Sequence, residues 1–382
     1  MATAIAAAAP TASLRIPWLR MIALVIASRL LLFCVGLFTL YSHGKDGAFD
    51  WNTYIDLSCR WDCGWYGNLA SNGYSAPETA LSNITNWAFY PLLPTLMHAV
   101  QTLFGIDDYR VAGMLVSTLA FVLALGLIHR YARLLGNSER VAASAVLIVA
   151  FLPHGIVFSA PYTESLFLCL LAAVMVALRQ QQYVLAGVCA ALLSATRSNG
   201  IFIIVFIVVQ LYLQLGPRAF LRPWQTPQAF VPLLMAPLGA FAFWTYAFYT
   251  TGDAFAMATT VRHGWGWAWE SPLSNLPMFW ESSAEARFWV LGSAFTAACC
   301  TLLLRYRWYA EFAFCLVVFL LIWGGTVPNS LWRYSMVLFP AWIALARLLE
   351  HRESMRMAMF AAMGLIGGYV MHAWALQLLV SI

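Results

Sequence analysis

Ala88-Phe89-Tyr90-Pro91-Leu92-Leu93-Pro94-Thr95-Leu96-Met97-His98-Ala99-Val100-Gln101-Thr102-Leu103-Phe104-Gly105 is the stretch on which the topology of this chain turns. It is apolar, somewhat short for a membrane crossing, and carries prolines 91 and 94 at its start. If it spans a bilayer, every later loop changes sides. If it lies along the surface, the later loops keep their places.

The rest of the chain fixes the class. Of 382 residues, 62% are hydrophobic and only 10% are charged, with a mean hydropathy of +0.75. A soluble domain carries roughly 25% charged residues. Apolar runs near membrane length recur over 18–41, 110–130, 140–158, 162–179, 183–196, 200–215, 228–250, 287–304, 309–326, 332–348 and 356–378. β-barrel alternation is absent. The reading is an all-α polytopic membrane protein of about 11 spanning helices, one integral membrane domain over 1–382.

Charge then decides between the two placements of 88–105. With that stretch on the outer surface, 13 basic residues fall inside: Arg15, Arg20, Arg130, Arg133, Arg140, Arg179, Arg218, Arg222, Arg305, Arg307, Arg347, Arg352 and Arg356. Seven fall outside (Lys45, Arg60, Arg110, Arg197, Arg262, Arg287, Arg333), and Arg29 stays within the first helix. A spanning 88–105 would turn the basic clusters outward, against the positive-inside bias. The expected topology has a cytoplasmic N-terminus, a retained signal-anchor over Met21 to Tyr41, and an outer C-terminus. Its large outer loops are 42–109, with juxtamembrane helices, and 251–286.

The outer face then collects Asp46, Asp50, Asp56, Asp62, Glu78, Glu164, Arg197, Asp253, Arg262, His263, Glu270 and Arg333. Within the first loop, Arg60-Trp61-Asp62-Cys63-Gly64-Trp65-Tyr66 puts a carboxylate between large aromatics where the chain leaves the bilayer. The bland alternative is an interfacial aromatic belt with a solvated Asp. Glu164, in Ser159-Ala160-Pro161-Tyr162-Thr163-Glu164-Ser165, reads as a helix cap or as a contact to sugar or phosphate. Arg197, in Thr196-Arg197-Ser198-Asn199-Gly200, reads as a snorkelling anchor or a phosphate clamp aided by helix amides. Arg333, in Trp332-Arg333-Tyr334, has the same two readings. Arg262-His263-Gly264-Trp265-Gly266-Trp267-Ala268-Trp269 reads as a membrane wedge or a carbohydrate-contacting loop.

Twenty of the 21 basic residues are Arg. Arg suits forked phosphate contacts, though base composition of the coding sequence also produces the bias. Cys34, Cys169, Cys189, Cys299, Cys300 and Cys315 read as small buried hydrophobes. Cys59 and Cys63 form a disulfide or share a helix face. A metal site lacks the His or second Cys pair it would need. His154 reads as a core residue. Phosphate-binding glycine loops, nucleophile elbows and dinucleotide fingerprints are absent, and nucleic-acid binding has no support.

Five motifs in order carry a family resemblance: Trp61-Asp62-x-x-Trp65-Tyr66, then Gly73-Tyr74 with Phe89-Tyr90-Pro91-Leu92-Leu93-Pro94, then Ser159 to Phe167, Thr196 to Gly200, and Arg333-Tyr334 to Phe339-Pro340. Together they resemble the GPI mannosyltransferase II (PIG-V) family and its bacterial relatives, over most of the chain. The resemblance implies a GT-C-like glycosyltransferase that uses a polyprenyl-phosphate sugar at the non-cytoplasmic face. It implies Asp62 as general base, inversion at the anomeric carbon, and mannose as the sugar. The loop around Arg262 and His263 matches the family poorly. An Ala- and Arg-rich chain of this length points to a bacterial member in an inner membrane, for which GPI anchors are not the expected product; a eukaryotic member would sit in the ER membrane.

The chemistry suits these residues. A lipid sugar phosphate already carries a good leaving group, so the reaction needs a base at the acceptor hydroxyl and cations on the departing phosphate. Asp62 takes the first role. Arg197 and Arg333 take the second, with Tyr162, Glu164 and Asn199 beside the donor. Trp61, Trp65, Tyr66, Arg262, His263 and Trp265 are the expected sugar or acceptor contacts. No cofactor is required, and a divalent metal is compatible without being indicated. The expected partners are the lipid-linked sugar, a glycolipid or glycan acceptor, and membrane lipid. The alternatives are a flippase or transporter of a lipid-linked sugar, which favours broken helices at the midplane, and a non-catalytic scaffold subunit.

Overall fold

The computed structural model describes residues 16–45, 49–76 and 84–379. Asp46, Glu78, Arg15 and Asn83 of the sequon Asn83-Ile84-Thr85 lie outside the described residues. The chain forms α1 (Trp18–Ser42), α2 (Trp51–Ser58), α3 (Cys63–Asn72), α4 (Leu92–Phe104), α5 (Tyr109–Leu134), α6 (Glu139–Ala150), α7 (Glu164–Arg179), α8 (Tyr183–Ser194) and α9 (Ile203–Phe220). There follow α10 (Val231–Met235), α11 (Leu238–Thr251), α12 (Ala256–Trp265), α13 (Pro272–Ser282), α14 (Ala284–Arg305), α15 (Tyr309–Trp323), α16 (Leu331–Met336), α17 (Phe339–Leu348) and α18 (Glu353–Ala375). The all-α polytopic reading holds.

Among the described residues, six helical stretches are long and apolar enough to cross a membrane: Trp18–Ser42, Tyr109–Leu134, Ser198–Phe220, Pro227–Thr251, Ala284–Arg305 and Glu353–Ala375. Large apolar side chains face outward on several of them, as at Leu19, 84% exposed, and Leu365, 78% exposed. A bilayer supplies the apolar surroundings these side chains need. The other expected segments form shorter helices. The decisive stretch 88–105 becomes α4, whose 13 residues reach about 20 Å, well under a hydrocarbon core of about 30 Å. It packs against α3 and α5 through Leu93, Pro94 and Met97.

The centre is α7. It is buried on nearly every face, against α5 on one side and α8 on the other. Being apolar all round, it has no lipid-facing stripe, as a helix enclosed by others requires.

Three expected segments differ from the reading. The run 140–158 is broken, because α6 stops at Ala150 and Pro153 cannot donate to continue it. Arg29 of α1 answers the break: its guanidinium donates to the Ala150 carbonyl at 2.9 Å and to the Gly155 carbonyl. It also lies over the Phe121 ring at 5.2 Å. The run 332–348 divides into α16 and α17 ahead of Pro340, and the Trp342 indole donates to the freed Met336 carbonyl at 2.7 Å. The expected loop 251–286 folds as helices α12 and α13. Among the cysteines, Cys34 is exposed on α1, unlike the expected buried hydrophobe. The others read that way are buried or half-buried.

Candidate functional site

Asp62 stands where the chain turns from α2 into α3. Trp61 takes a positive φ of 50°, an uncommon conformation for a bulky residue. Two restraints hold it. A disulfide joins Cys59 to Cys63 across the turn. The Tyr162 phenol donates to the Arg60 carbonyl at 2.9 Å and accepts from the Asp62 amide at 3.1 Å, so it grips the backbone on both sides of Trp61.

The Asp62 carboxylate meets Arg333, whose Nη2 lies 3.0 Å from Oδ2. Arg333 is presented by the short helix α16, after Ser330 turns the chain with φ +68°. Its Nε lies 3.3 Å from Glu164 Oε1, at the first residue of α7. Arg197 Nη1 donates to that same oxygen at 3.1 Å. Arg197 comes from the tight connection between α8 and the 3-10 turn Ser198–Phe202. Gly200 makes that connection possible: a Cβ there would stand 2.2 Å from the Leu193 carbonyl oxygen. The Tyr334 ring lies against both guanidinium groups, at 4.5 Å from Arg197 and 4.9 Å from Arg333. Tyr162 faces Arg333 at 5.2 Å.

Two acids and two arginines therefore share one cluster. Arg333 and Glu164 are each 2% exposed at the side chain, Arg197 15% and Asp62 31%, so Asp62 forms its wet edge. Buried charges of this kind persist only when paired. The pairing is incomplete: Arg333 Nη1, Glu164 Oε2 and Asn199 Oδ1 are buried without a hydrogen-bond partner. Unpartnered buried polar atoms are costly, and they gather where a ligand supplies the missing bonds. Tyr66, buried in α3, faces the same cluster. Burial pushes its phenol up from the ordinary value, with the Asp62 carboxylate adding to the rise, so the O–H stays a donor.

The structure thus brings Asp62, Tyr162, Glu164, Arg197, Arg333 and Tyr66 together, with Asn199 on the Arg197 turn. Glu164 meets two guanidinium groups there, and its side chain makes no helix-capping bond. Tyr162 acts on the Asp62 backbone. Trp265 packs edge-on against Trp65, with centroids 5.9 Å apart, and joins the aromatic side of the site. Arg262 and His263 do not join it. Both are exposed on α12, with no hydrogen bond or ion pair to the cluster. The other two Trp of that motif lean on the chain before α16: a Cβ on Gly325 or Gly324 would meet the indole nitrogen of Trp267 or Trp269 at 2.3 Å. Tyr334 was quoted in the motif without a role, and only its place beneath both arginines assigns one. Among the described residues, no group of three or more His, Cys, Asp or Glu gathers to hold a metal.

The chain is similar to GPI mannosyltransferase 2 of Drosophila pseudoobscura pseudoobscura, 29% identical over 136 residues, covering 32% of this chain and 28% of that protein. It is similar to GPI mannosyltransferase 2 of Schizosaccharomyces pombe, 27% identical over 151 residues, covering 38% and 30%. The matched stretches thus span less than a third of those relatives' length. Among solved structures, the Archaeoglobus fulgidus oligosaccharyltransferase complex with Zn and sulfate aligns over 92% of this chain and 52% of its own, at 14% identity and a TM-score of 0.45. The S. cerevisiae protein O-mannosyltransferase complex bound to the sugar donor aligns over 59% and 34%, at 15% identity and a TM-score of 0.40. The family model for mannosyltransferase (PIG-V) matches residues 42–252, more than half of the chain and the part that holds Asp62, Tyr162, Glu164 and Arg197, and the chain belongs to that family.

Proposed function

We propose that this protein is a membrane mannosyltransferase that moves a mannosyl residue from a polyprenyl-phosphate sugar to a hydroxyl of a glycolipid or glycan acceptor. The observation that carries the reading is the 3.0 Å contact between Asp62 and Arg333. It joins the candidate base to a candidate phosphate-binding guanidinium from the far end of the chain.

In the proposed step, the Asp62 carboxylate takes the proton of the acceptor hydroxyl. The hydroxyl oxygen bonds to the anomeric carbon as the bond from that carbon to the phosphate oxygen breaks. The electron pair leaves with the lipid phosphate, and Arg333 and Arg197 stabilise the charge that develops there. Attack opposite the leaving group converts a β-linked donor into an α-mannoside. Glu164 holds both arginines in place, and Tyr162 holds the Asp62 backbone. The free Nη1 of Arg333 is a donor available to a phosphate oxygen.

The site belongs, on this reading, at the non-cytoplasmic face. The positive-inside charge count supports that placement. So does the Cys59–Cys63 disulfide, since disulfides persist in oxidising compartments. The short α4 supports a surface helix within the first outer loop.

The test is transfer from radiolabelled polyprenyl-phosphate mannose to a total lipid and protein extract by purified protein, with Asp62→Asn alongside. Transfer by wild type, reduced at least about a thousandfold in a folded mutant, is expected. Wild type that binds the donor without transfer shifts the search to another sugar or acceptor. Wild type that does not bind it removes the glycosyltransferase reading.

A further inference from the structure

Beside the ion cluster lies a cleft of about 600 Å³, lined by Trp61, Gly64, Trp65, Asn68, Ser75, Ile84 and Thr85. That is the size range of small-molecule sites. Among the described residues its lining carries no charged side chain. Trp61 and Gly64 lie within two residues of Asp62, so the cleft borders the start of α3, where the candidate base stands.

The polar side of the cleft is held from below by Asn86, which is 1% exposed. Asn86 Nδ2 donates to Asn68 Oδ1 at 3.0 Å and to the Gly73 carbonyl at 2.9 Å. Its Oδ1 accepts from the Ser75 amide at 2.9 Å and the Ser75 hydroxyl at 3.0 Å. With its carbonyl oxygen engaged below, the exposed Asn68 side chain turns its amide N–H groups outward. The apolar side is aromatic. Trp65 is backed by Phe89, stacked at 5.9 Å, and by Trp265. Trp61 Nε1 is a buried donor without a hydrogen-bond partner. Gly64 completes the wall: a Cβ there meets nothing within 4 Å.

We infer that this cleft is the acceptor subsite and that it takes an uncharged hexopyranoside. Indole faces receive the C–H face of a sugar ring, while the Asn68 amide and the hydroxyl-bearing wall receive its hydroxyls. Among the described residues its wall is aromatic and amide- or hydroxyl-bearing, unlike the arginine cluster, which suits a phosphate. The inference rests on the proposed transfer reaction for its name as an acceptor site, but its ligand class is read from the cleft itself.

Gly64 supplies the sharpest test. Gly64 lines the cleft and a Cβ there meets nothing within 4 Å, so Leu has room to start into the cleft, and it favours the helix over Gly. The experiment is saturation-transfer NMR on the full-length protein in detergent, with the methyl glycosides of mannose, glucose and N-acetylglucosamine as probes. Wild type should transfer saturation to at least one probe. Gly64→Leu and Asn68→Ala should lose at least fivefold of that signal while binding polyprenyl-phosphate mannose as wild type does. Mannose 6-phosphate should not displace the probe. No signal for any of the three probes overturns the inference, as does a signal that Gly64→Leu leaves intact. Probe binding that behaves as expected, in a protein showing no sugar transfer, would keep the subsite and sink the reaction, so the two failures are distinguishable.

Discussion

At its first residue α7 presents Glu164 to Arg197 and Arg333; at its last, Arg179 meets Glu311. The two ends are about 24 Å apart along one 16-residue helix. The Arg179 end pairs one guanidinium with one carboxylate, whose Oε2 is buried without a hydrogen-bond partner. Arg179 Nη2 lies 2.6 Å from Glu311 Oε1, its Nε donates to the Tyr131 hydroxyl at 3.0 Å, and that hydroxyl donates to the same carboxylate oxygen. One acid faces one base, and Glu311 is fully buried. The Glu164 end has two of each, reaches the wet edge through Asp62, and leaves Arg333 Nη1 without a hydrogen-bond partner. The first arrangement, a one-to-one pair with its acid fully buried, suits an anchor. The second has donors left over and a carboxylate that a solute can reach.

Breaking the Glu164 end should have the largest effect. Arg333→Met is expected to lower kcat/KM for polyprenyl-phosphate mannose by about 100-fold or more, the scale of losing one well-placed donor to a developing anion. A folded variant that keeps a tenth of wild-type turnover would take the cluster out of the chemistry.

The Arg179 end should answer in stability instead. Arg179→Met strands a buried carboxylate and should cost about 3–5 kcal/mol, whereas Arg179→Met with Glu311→Leu should recover most of the loss. Turnover per folded molecule should stay within about twofold in both. Unfolding curves in detergent, read beside the transfer assay, check this; a double variant no better than the single one would contradict the anchor reading.

The disulfide sharpens the contrast, since only the Asp62 turn is cross-linked. Cys59→Ala with Cys63→Ala should lower kcat by about tenfold through a displaced Asp62, leaving donor KM near wild type. Thiol labelling of unreduced wild type should miss both cysteines. Equal loss in kcat and donor affinity would point to a wider collapse.

The smallest effect lies at the base of α5. Hydrogen bonds from Arg110 hold the Asp108 carboxyl below its usual range. A carboxyl depressed in the folded state adds stability above its unfolded value of about 3.9 and loses it as pH falls through the folded value. Asp108→Asn should therefore be slightly less stable at neutral pH, with a flatter stability profile below about pH 4. Thermal melts across pH 3–7 would show a parallel shift instead if the ion pair contributes nothing.

Much of the site was legible because charge is so rare in this chain. Asp62 between aromatics, Glu164 at a helix start, and Arg197 between two apolar helices each stood out from their surroundings. Their pairing did not. Asp62 and Arg333 are 271 residues apart, and nothing local to either names the other. Arg262 and His263 looked equally promising by residue type, yet α12 turns them to the exterior. The break near Pro153 was locally visible, whereas Arg29 as its partner lies 121 residues from Ala150 and needed the packed fold to appear.

Sequence alone determined what each segment needs: lipid for the long apolar runs, an interface for the aromatic loop, and a partner for every arginine in an apolar setting. Those are properties of composition and spacing, and they act over a few residues. Tertiary structure decided which partner each group received. It gave Glu164 two arginines and Arg179 one glutamate, and set a Trp-lined cleft at the start of α3, next to the turn that carries Asp62. The reason is that burial makes an unpaired charge costly wherever it sits, while the choice among distant partners is made only when the helices pack.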